Sequence, residues 1–330
     1  MQDFDQLGRR EAIRLLFEGT PYAPFSDGRF EAPAGESVVP ASRVLLEGID
    51  FDLVYFPLKH LGYKSVAGVT GELYASLATP RSLSVVLGLS AKLDFERVRE
   101  LWGGVVAAAS EFGYSSLSLD LQPSRNGLTI ALSATGRHNA AVSAARPQPQ
   151  SKDLVCVGGA LGAAFLGLQV LERERVKFEQ GSTDQKVLEQ YRMLVGSYLR
   201  PELDPRMPVQ LEESGISPSF GYFVTRGLAD ALLRLHRDSG LGVKVYADKI
   251  PFEGGSFALG KEMDVDPVSA AMNGGDDYRL LYVVPIAQFE RFRKDFQTFD
   301  IIGHLARPEV GAVLVSPDGL EHPVSAQGWT

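Results

Sequence analysis

The side chains that most often hold metals or act as nucleophiles are few in this chain and badly spaced for either task. His60, His138, His236, His304 and His322 are scattered, with no pair at the short intervals a zinc site needs. Cys156 is the single cysteine and lies inside an apolar run, Leu154-Val-Cys-Val157, where a small core residue is expected rather than a thiolate. Two glycine-rich stretches are more informative. Gly159-Ala-Leu-Gly162 follows that apolar run and leads into small residues with helical spacing, and Asn273-Gly-Gly-Asp-Asp-Tyr278 leads into a second apolar run, where its glycines suit a tight turn. Lys92–Arg99 reads as a charged helix face exposed to solvent.

The elements that must carry these residues mix two periodicities in both halves of the chain. Extended segments are expected at 44–53, 84–89, 115–121 and 128–135, and helices at 61–77 and 94–112, with Asp94 as an N-cap. Residues 137–151 are mostly Ala, Pro, Gln and Ser and can bury little, so they separate an N-terminal domain (1–136) from a C-terminal domain (152–330). Beyond this linker, strands are expected at 153–157, 243–247, 279–284, 299–305 and 311–315. Helices are expected near 163–174, 184–197, 226–238 and 286–296. The fold class is α+β (mixed α/β) in two domains.

Composition excludes several classes of function. The formal charge is −8, with −2 in residues 1–150 and −6 beyond, which does not favour a nucleic-acid binder. One cysteine allows no internal disulfide, and the N-terminus lacks the order of a signal peptide, so the cytoplasm is the expected location. Leu154–Leu171 is uncharged, but Gly158, Gly159, Gly162, Gly167 and Gln169 favour strand, turn and helix over a membrane span.

Several stretches taken in order resemble bacterial thiamine-monophosphate kinases, of the aminoimidazole-ribotide-synthetase-like superfamily. They are Leu45-Leu-Glu-Gly-Ile-Asp-Phe-Asp-Leu53, Leu58-Lys-His-Leu-Gly-Tyr-Lys64, Gly127-Leu-Thr-Ile130, the Gly159–Gly162 turn, Tyr198-Leu-Arg-Pro201, Asn273–Tyr278 and Gln327-Gly-Trp329. The resemblance implies an N-terminal sheet domain that forms a homodimer and a C-terminal α+β domain. It also implies transfer of the ATP γ-phosphate to thiamine monophosphate, with several Mg²⁺ ions held by carboxylates. On the same ground Gly159, Gly162, Gly274, Gly275, Asp277 and Trp329 are candidate pocket residues.

The chain departs from the family at the acidic positions. The Gly-Asp-Asp-Ala-Ala run appears as Phe25-Ser-Asp-Gly-Arg29 and keeps Asp27; an acid before Glu47 becomes Arg43; a Ser-Asp pair becomes Gly71-Glu72. The Gly-Gly-Asp-Thr-Thr loop becomes Ser118-Leu-Asp-Leu-Gln122, keeping Asp120, with Leu119 and Leu121 expected to fill phosphate space. The Asp-Ile-Ser-Asp-Gly-Leu run becomes Phe223-Val-Thr-Arg-Gly-Leu228, which places Arg226 at an acid position. After Tyr278 the usual acid is Arg279. Unit charges about 5 Å apart at an effective dielectric near 20 interact by roughly 3 kcal/mol, and a divalent ion doubles this, so an arginine would repel Mg²⁺. Asp27, Glu72 and Asp120 are the candidate metal ligands that remain. Arg43 and Arg226 are expected either to pair with them in an ion network or to grip an anion directly.

The expected function is therefore a thiamine-monophosphate-kinase-like scaffold with impaired or no catalysis, weak or absent ATP and Mg²⁺ binding, and a binding role toward a phosphorylated small molecule or a protein partner. The alternative is an active kinase that uses arginines in place of some metals.

Overall fold

The computed structural model describes residues 8–23, 36–139, 146–181 and 185–328. The chain divides into two units, Met1–Leu73 with Leu77–Ala141, and Tyr74–Ser76 with Val142–Thr330. Each is a mixed α/β assembly.

The first unit contains α1 (Arg9–Phe17), β1 (Glu36–Leu46), α2 (Leu58–Ala75, whose last two residues count with the second unit), β2 (Thr79–Leu89), α3 (Phe95–Glu111), β3 (Ser116–Pro123) and β4 (Thr129–Asn139). Its sheet has the order β1-β4-β2-β3, with β2 and β3 parallel and the other pairs antiparallel. Strand alternation sends Leu83, Val85, Leu87, Ile130, Leu132 and Ala134 to a buried face, where Leu73 of α2 approaches Gly136. The opposite face carries Ser42, Val44, Ser84, Val86, Ser118 and Ser133.

The two covering helices touch backbone to backbone. A Cβ on Gly62 would lie 2.1 Å from the Leu101 carbonyl oxygen, and one on Gly104 would lie 2.0 Å from that of Lys59. Asp94 caps α3 as expected, accepting from the Arg97 N–H at 2.9 Å. Trp102 of α3 is buried against Phe17 of α1, with ring centroids 5.1 Å apart.

The second unit contains β5 (Leu154–Gly158), α4 (Ala163–Glu179), α5 (Gln185–Gln190), α6 (Arg192–Leu199), α7 (Met207–Ser214), β6 (Phe220–Val224), α8 (Leu228–Ser239) and β7 (Gly242–Tyr246). It continues through α9 (Ser256–Met263), α10 (Pro267–Asn273), β8 (Arg279–Val284), α11 (Phe289–Asp295), β9 (Phe299–Ala306), β10 (Ala312–Val315) and β11 (Glu321–Pro323). Seven strands lie in the order β11-β10-β7-β9-β5-β8-β6. Interior strand β5 is buried through Val157, so Cys156 is core and burial pushes its thiol pKa up. On one face of the sheet, Val155, Val157, Tyr222, Leu281 and Val283 pack with Leu228, Leu232 and Leu235 of α8. Among the described residues no helix is long and apolar enough to cross a membrane.

Several expected boundaries move. The extended segment expected at 44–53 begins at Glu36 and ends at Leu46; residues 47–57 turn back through a Glu47–Phe51 bridge. The expected linker starts too early, because residues 137–139 are strand, paired to 36–38 of β1. The helix expected at 184–197 is two helices separated at Tyr191. Strand β6 is a short run interrupted by Gly221, and periodicity alone does not mark it.

Candidate functional site

Three loops of the second unit gather at one end of its sheet because of strand direction. β8 runs antiparallel to both neighbours, with Val157 opposite Leu281 and Val224 opposite Arg279, so it starts where β5 and β6 end. The Gly158–Gly162 turn, the Thr225–Gly227 turn and the Asn273–Tyr278 loop are therefore neighbours. The third zips onto the second: the Asp276 N–H donates to Thr225 O at 2.9 Å, and the Tyr278 N–H donates to Val224 O at 3.0 Å.

Asp277 ties the third loop to the first. Its carboxylate accepts from the Gly162 N–H at 2.9 Å and from the Ala164 N–H at 3.3 Å, occupying the start of α4. Burial pushes its pKa up to about 7, against the opposing pull of those donors and of Arg279. Gly162, at φ +74°, passes so close to α10 that a Cβ would lie 2.7 Å from the Ala271 nitrogen. Gly274 lies equally close to Phe165, and Gly275, at φ +80°, stands against Thr225 O and Arg226. The four candidate pocket glycines and Asp277 thus come together, and what brings them together is close packing. Asp276 and Tyr278 both hold positive φ, 62° and 55°, which costs a non-glycine residue about 1–2 kcal/mol.

Arg279 is the joint of this region. Its guanidinium lies across Gly159, where a Cβ would be 3.1 Å from Cζ. Its Nε donates to Ala160 O at 3.3 Å and Nη1 to Glu202 O at 3.4 Å, which brings the segment after Tyr198–Pro201 to the same place. Three of the recurring stretches thus meet at one side chain. The sequence signal was the departure at position 279, which marks a change of charge without telling where the side chain goes. Arg226 is exposed in the turn before α8.

The remaining candidates lie in the first unit or outside the described residues. Asp27 and Trp329 belong to the latter. Arg43 is half-buried on β1 opposite Leu132, on the buried side of the sheet. Register places Asp120 on the opposite face, in line with Val86 and Ala131, three strand spacings or about 14 Å away. The expected pairing of Arg43 with Asp120 therefore does not form. The Asp120 carboxylate accepts instead from the Leu121 N–H and the Gln122 Nε2, each at 2.9 Å. Leu121 is buried and Leu119 shares its side of the strand, so both fill the core rather than the space beside Asp120. Phe223 is likewise core, edge-on to Tyr278 at 5.3 Å. Glu72 is half-buried on α2. Glu47 accepts from the Leu128 N–H at 2.6 Å, coupling two of the recurring stretches.

These donors do not fit a multi-ion Mg²⁺ centre. Among the described residues no group of three or more His, Cys, Asp or Glu side chains could hold a metal. The Asp277 and Asp120 oxygens are already engaged.

Residues 29–138 match the family described as AIR synthase related protein, N-terminal domain. A thiamine-monophosphate kinase of Synechococcus elongatus is 26% identical over 285 residues, covering 85% of this chain and 83% of that protein; one from Methanopyrus kandleri is 28% identical over 236 residues, covering 69% and 67%. The crystal structure of thiamine monophosphate kinase from Aquifex aeolicus superposes with a TM-score of 0.71 at 21% identity, over 89% of this chain and 92% of that one. The hydrogenase maturation protein HypE of E. coli superposes with a TM-score of 0.69 at 15% identity, over 95% of each chain. The fold is therefore of the AIR-synthase-like class. Within that class, the chain is similar to thiamine-monophosphate kinases over most of its length.

Proposed function

We propose that this chain is an ATP-dependent phosphotransferase acting on thiamine monophosphate, in which arginines stand in for some of the positive charge that metals supply in its relatives. The observation that carries the reading is the relatedness to thiamine-monophosphate kinases over most of the chain. A structure at 21% identity, AaThiL complexed with AMPPCP and TMP, supports the choice of ligands. In the transfer, the acceptor phosphate oxygen attacks the γ-phosphorus, the bond to the β-γ bridging oxygen breaks, and ADP leaves. Both reactants are anions, so the residues that matter are those that lower the local negative charge. Arg226 and Arg279 do so in the second unit. Gly159, Gly162, Gly274, Gly275 and Asp277 hold the loop end of the second sheet in one shape.

Supporting the remaining parts of this reading, the first unit presents an open sheet face with Val44 53% and Val86 38% exposed, which suits a homodimer of paired sheets. The division into two units supports the two-domain reading, and a cytoplasmic location fits the single, buried cysteine.

A second reading, a catalytically silent homologue that only binds a phosphorylated molecule, is favoured by arginine at positions 43, 226 and 279 and by the scattered carboxylates. Incubating the purified chain with ATP, Mg²⁺ and thiamine monophosphate separates the two. Thiamine diphosphate is the expected product; its absence at every Mg²⁺ concentration would establish the second reading.

A further inference from the structure

The second unit carries two arginines at one end of its sheet that form no ion pair with a described carboxylate. Arg279 spends two of its donors on carbonyl oxygens, Ala160 O and Glu202 O, and Arg226 is exposed; neither is ion-paired among the described residues. A guanidinium carries five N–H donors, so Arg279 keeps donors to spare while being held in place. The two are close in the fold: Arg279 is the β-partner of Val224, and Arg226 lies two residues further on, with its Cα 3.6 Å from where a Gly275 Cβ would stand. Asp277, two residues before Arg279, is engaged elsewhere. Asp277 is turned inward as the α4 cap and buried, and its raised pKa leaves it only partly ionised at neutral pH.

This arrangement also weighs against the simplest alternative, an anion at the start of α4. The Gly162 and Ala164 amides are already taken by Asp277, and the Leu161 N–H donates to Pro251 O. An anion approaching this end of the sheet meets side-chain guanidinium groups. Planar forked donors match the tetrahedral oxygens of phosphate and need no metal to do so.

We propose that Arg226 and Arg279 form a metal-independent subsite for a phosphoryl or pyrophosphoryl group. It deepens the kinase reading, on which it rests only for the choice of phosphate as the anion. Arg43, which belongs to the first unit, takes no part in it.

Calorimetric titration of the full chain with pyrophosphate in EDTA tests this. Saturable binding that weakens as salt is raised is expected. Arg226→Ala, a change at an exposed turn, should weaken it about tenfold, the loss of one charge-assisted contact. Arg279→Lys should do the same while keeping the charge, since lysine lacks the fork. Arg43→Ala should leave it unchanged. No saturable binding in EDTA, or wild-type affinity in both Arg226→Ala and Arg279→Lys, overturns the subsite. The two proposals fail separately: pyrophosphate binding without thiamine diphosphate formation sinks the kinase and keeps the subsite, whereas product formation with unchanged affinity in both variants does the reverse.

Discussion

Asp277 sets two opposing effects against each other in one carboxyl group. Two backbone N–H groups favour the anion, removal from water favours the acid, and burial wins, with the pKa pushed up to about 7. The sign for stability follows from linkage. Between an ordinary aspartate pKa near 4 and the folded value near 7, the folded protein holds a proton that the unfolded chain has lost. This contribution is complete below about pH 4 and is lost as pH rises through 7. Asp277→Asn cannot titrate, and its side-chain oxygen can still accept from Gly162. The melting temperature of wild type relative to Asp277→Asn should therefore fall steadily between pH 5 and pH 8. A difference that stays constant with pH would mean that Asp277 is ionised throughout. Arg279 makes a second prediction at this scale. Because it joins the Gly159 turn to the Glu202 segment, Arg279→Ala should lower the melting temperature, whereas Arg226→Ala, exposed and without a described carboxylate partner, should not. Equal melting temperatures for the two variants would remove the joint.

At the scale of elements, the first unit depends on the crossing of α2 and α3, where Gly62 and Gly104 let one helix backbone touch the other. A methyl group at Gly104 would meet Lys59 O at 2.0 Å, and backbone cannot rotate away as a side chain can. Gly104→Ala should therefore destabilise the protein by about 1–3 kcal/mol, the usual cost of overpacking. Its neighbour supplies the control. Gly103 is exposed on the same helix with nothing within 4 Å of where a Cβ would stand, so Gly103→Ala should be neutral or gain up to ~1 kcal/mol from helix propensity. Denaturant melts of both variants decide the matter, and a Gly104→Ala variant as stable as Gly103→Ala would show that the helices can part without cost.

The largest scale concerns the open face of the first sheet. Val38, Val44, Leu46 and Val86 are exposed there among serines and threonines, and apolar side chains in that arrangement lose little on meeting a second copy. Val44→Glu would place like charges near one another across a two-fold axis and should give a monomer by light scattering at a concentration where wild type is a dimer. A wild type that is itself monomeric at micromolar concentration would end the dimer reading. The buried core is untouched by that change, so the folded state of the mutant chain should survive it.

What could be read from the residues alone was whatever depends on local order. Periodicity located α2, α3, β5 and β8, Asp94 announced its own capping role, and the ordered stretches from Leu45 to Trp329 carried the resemblance to thiamine-monophosphate kinases. The short strand β6 escaped because five residues with a glycine in second place carry no period. The site was legible only in part, since a sequence tells which charges are present but not which way they face. Arg43 and Asp120 looked like partners, yet an odd number of residues along paired strands puts them on opposite sides of one sheet. Arg226 and Arg279, 53 positions apart in the sequence, become neighbours only because β6 ends where β8 begins. Strand direction is a long-range property, set by how the whole sheet assembles, and it alone gathers the glycine turns, the Asp277 cap and the two arginines at one end of the second unit.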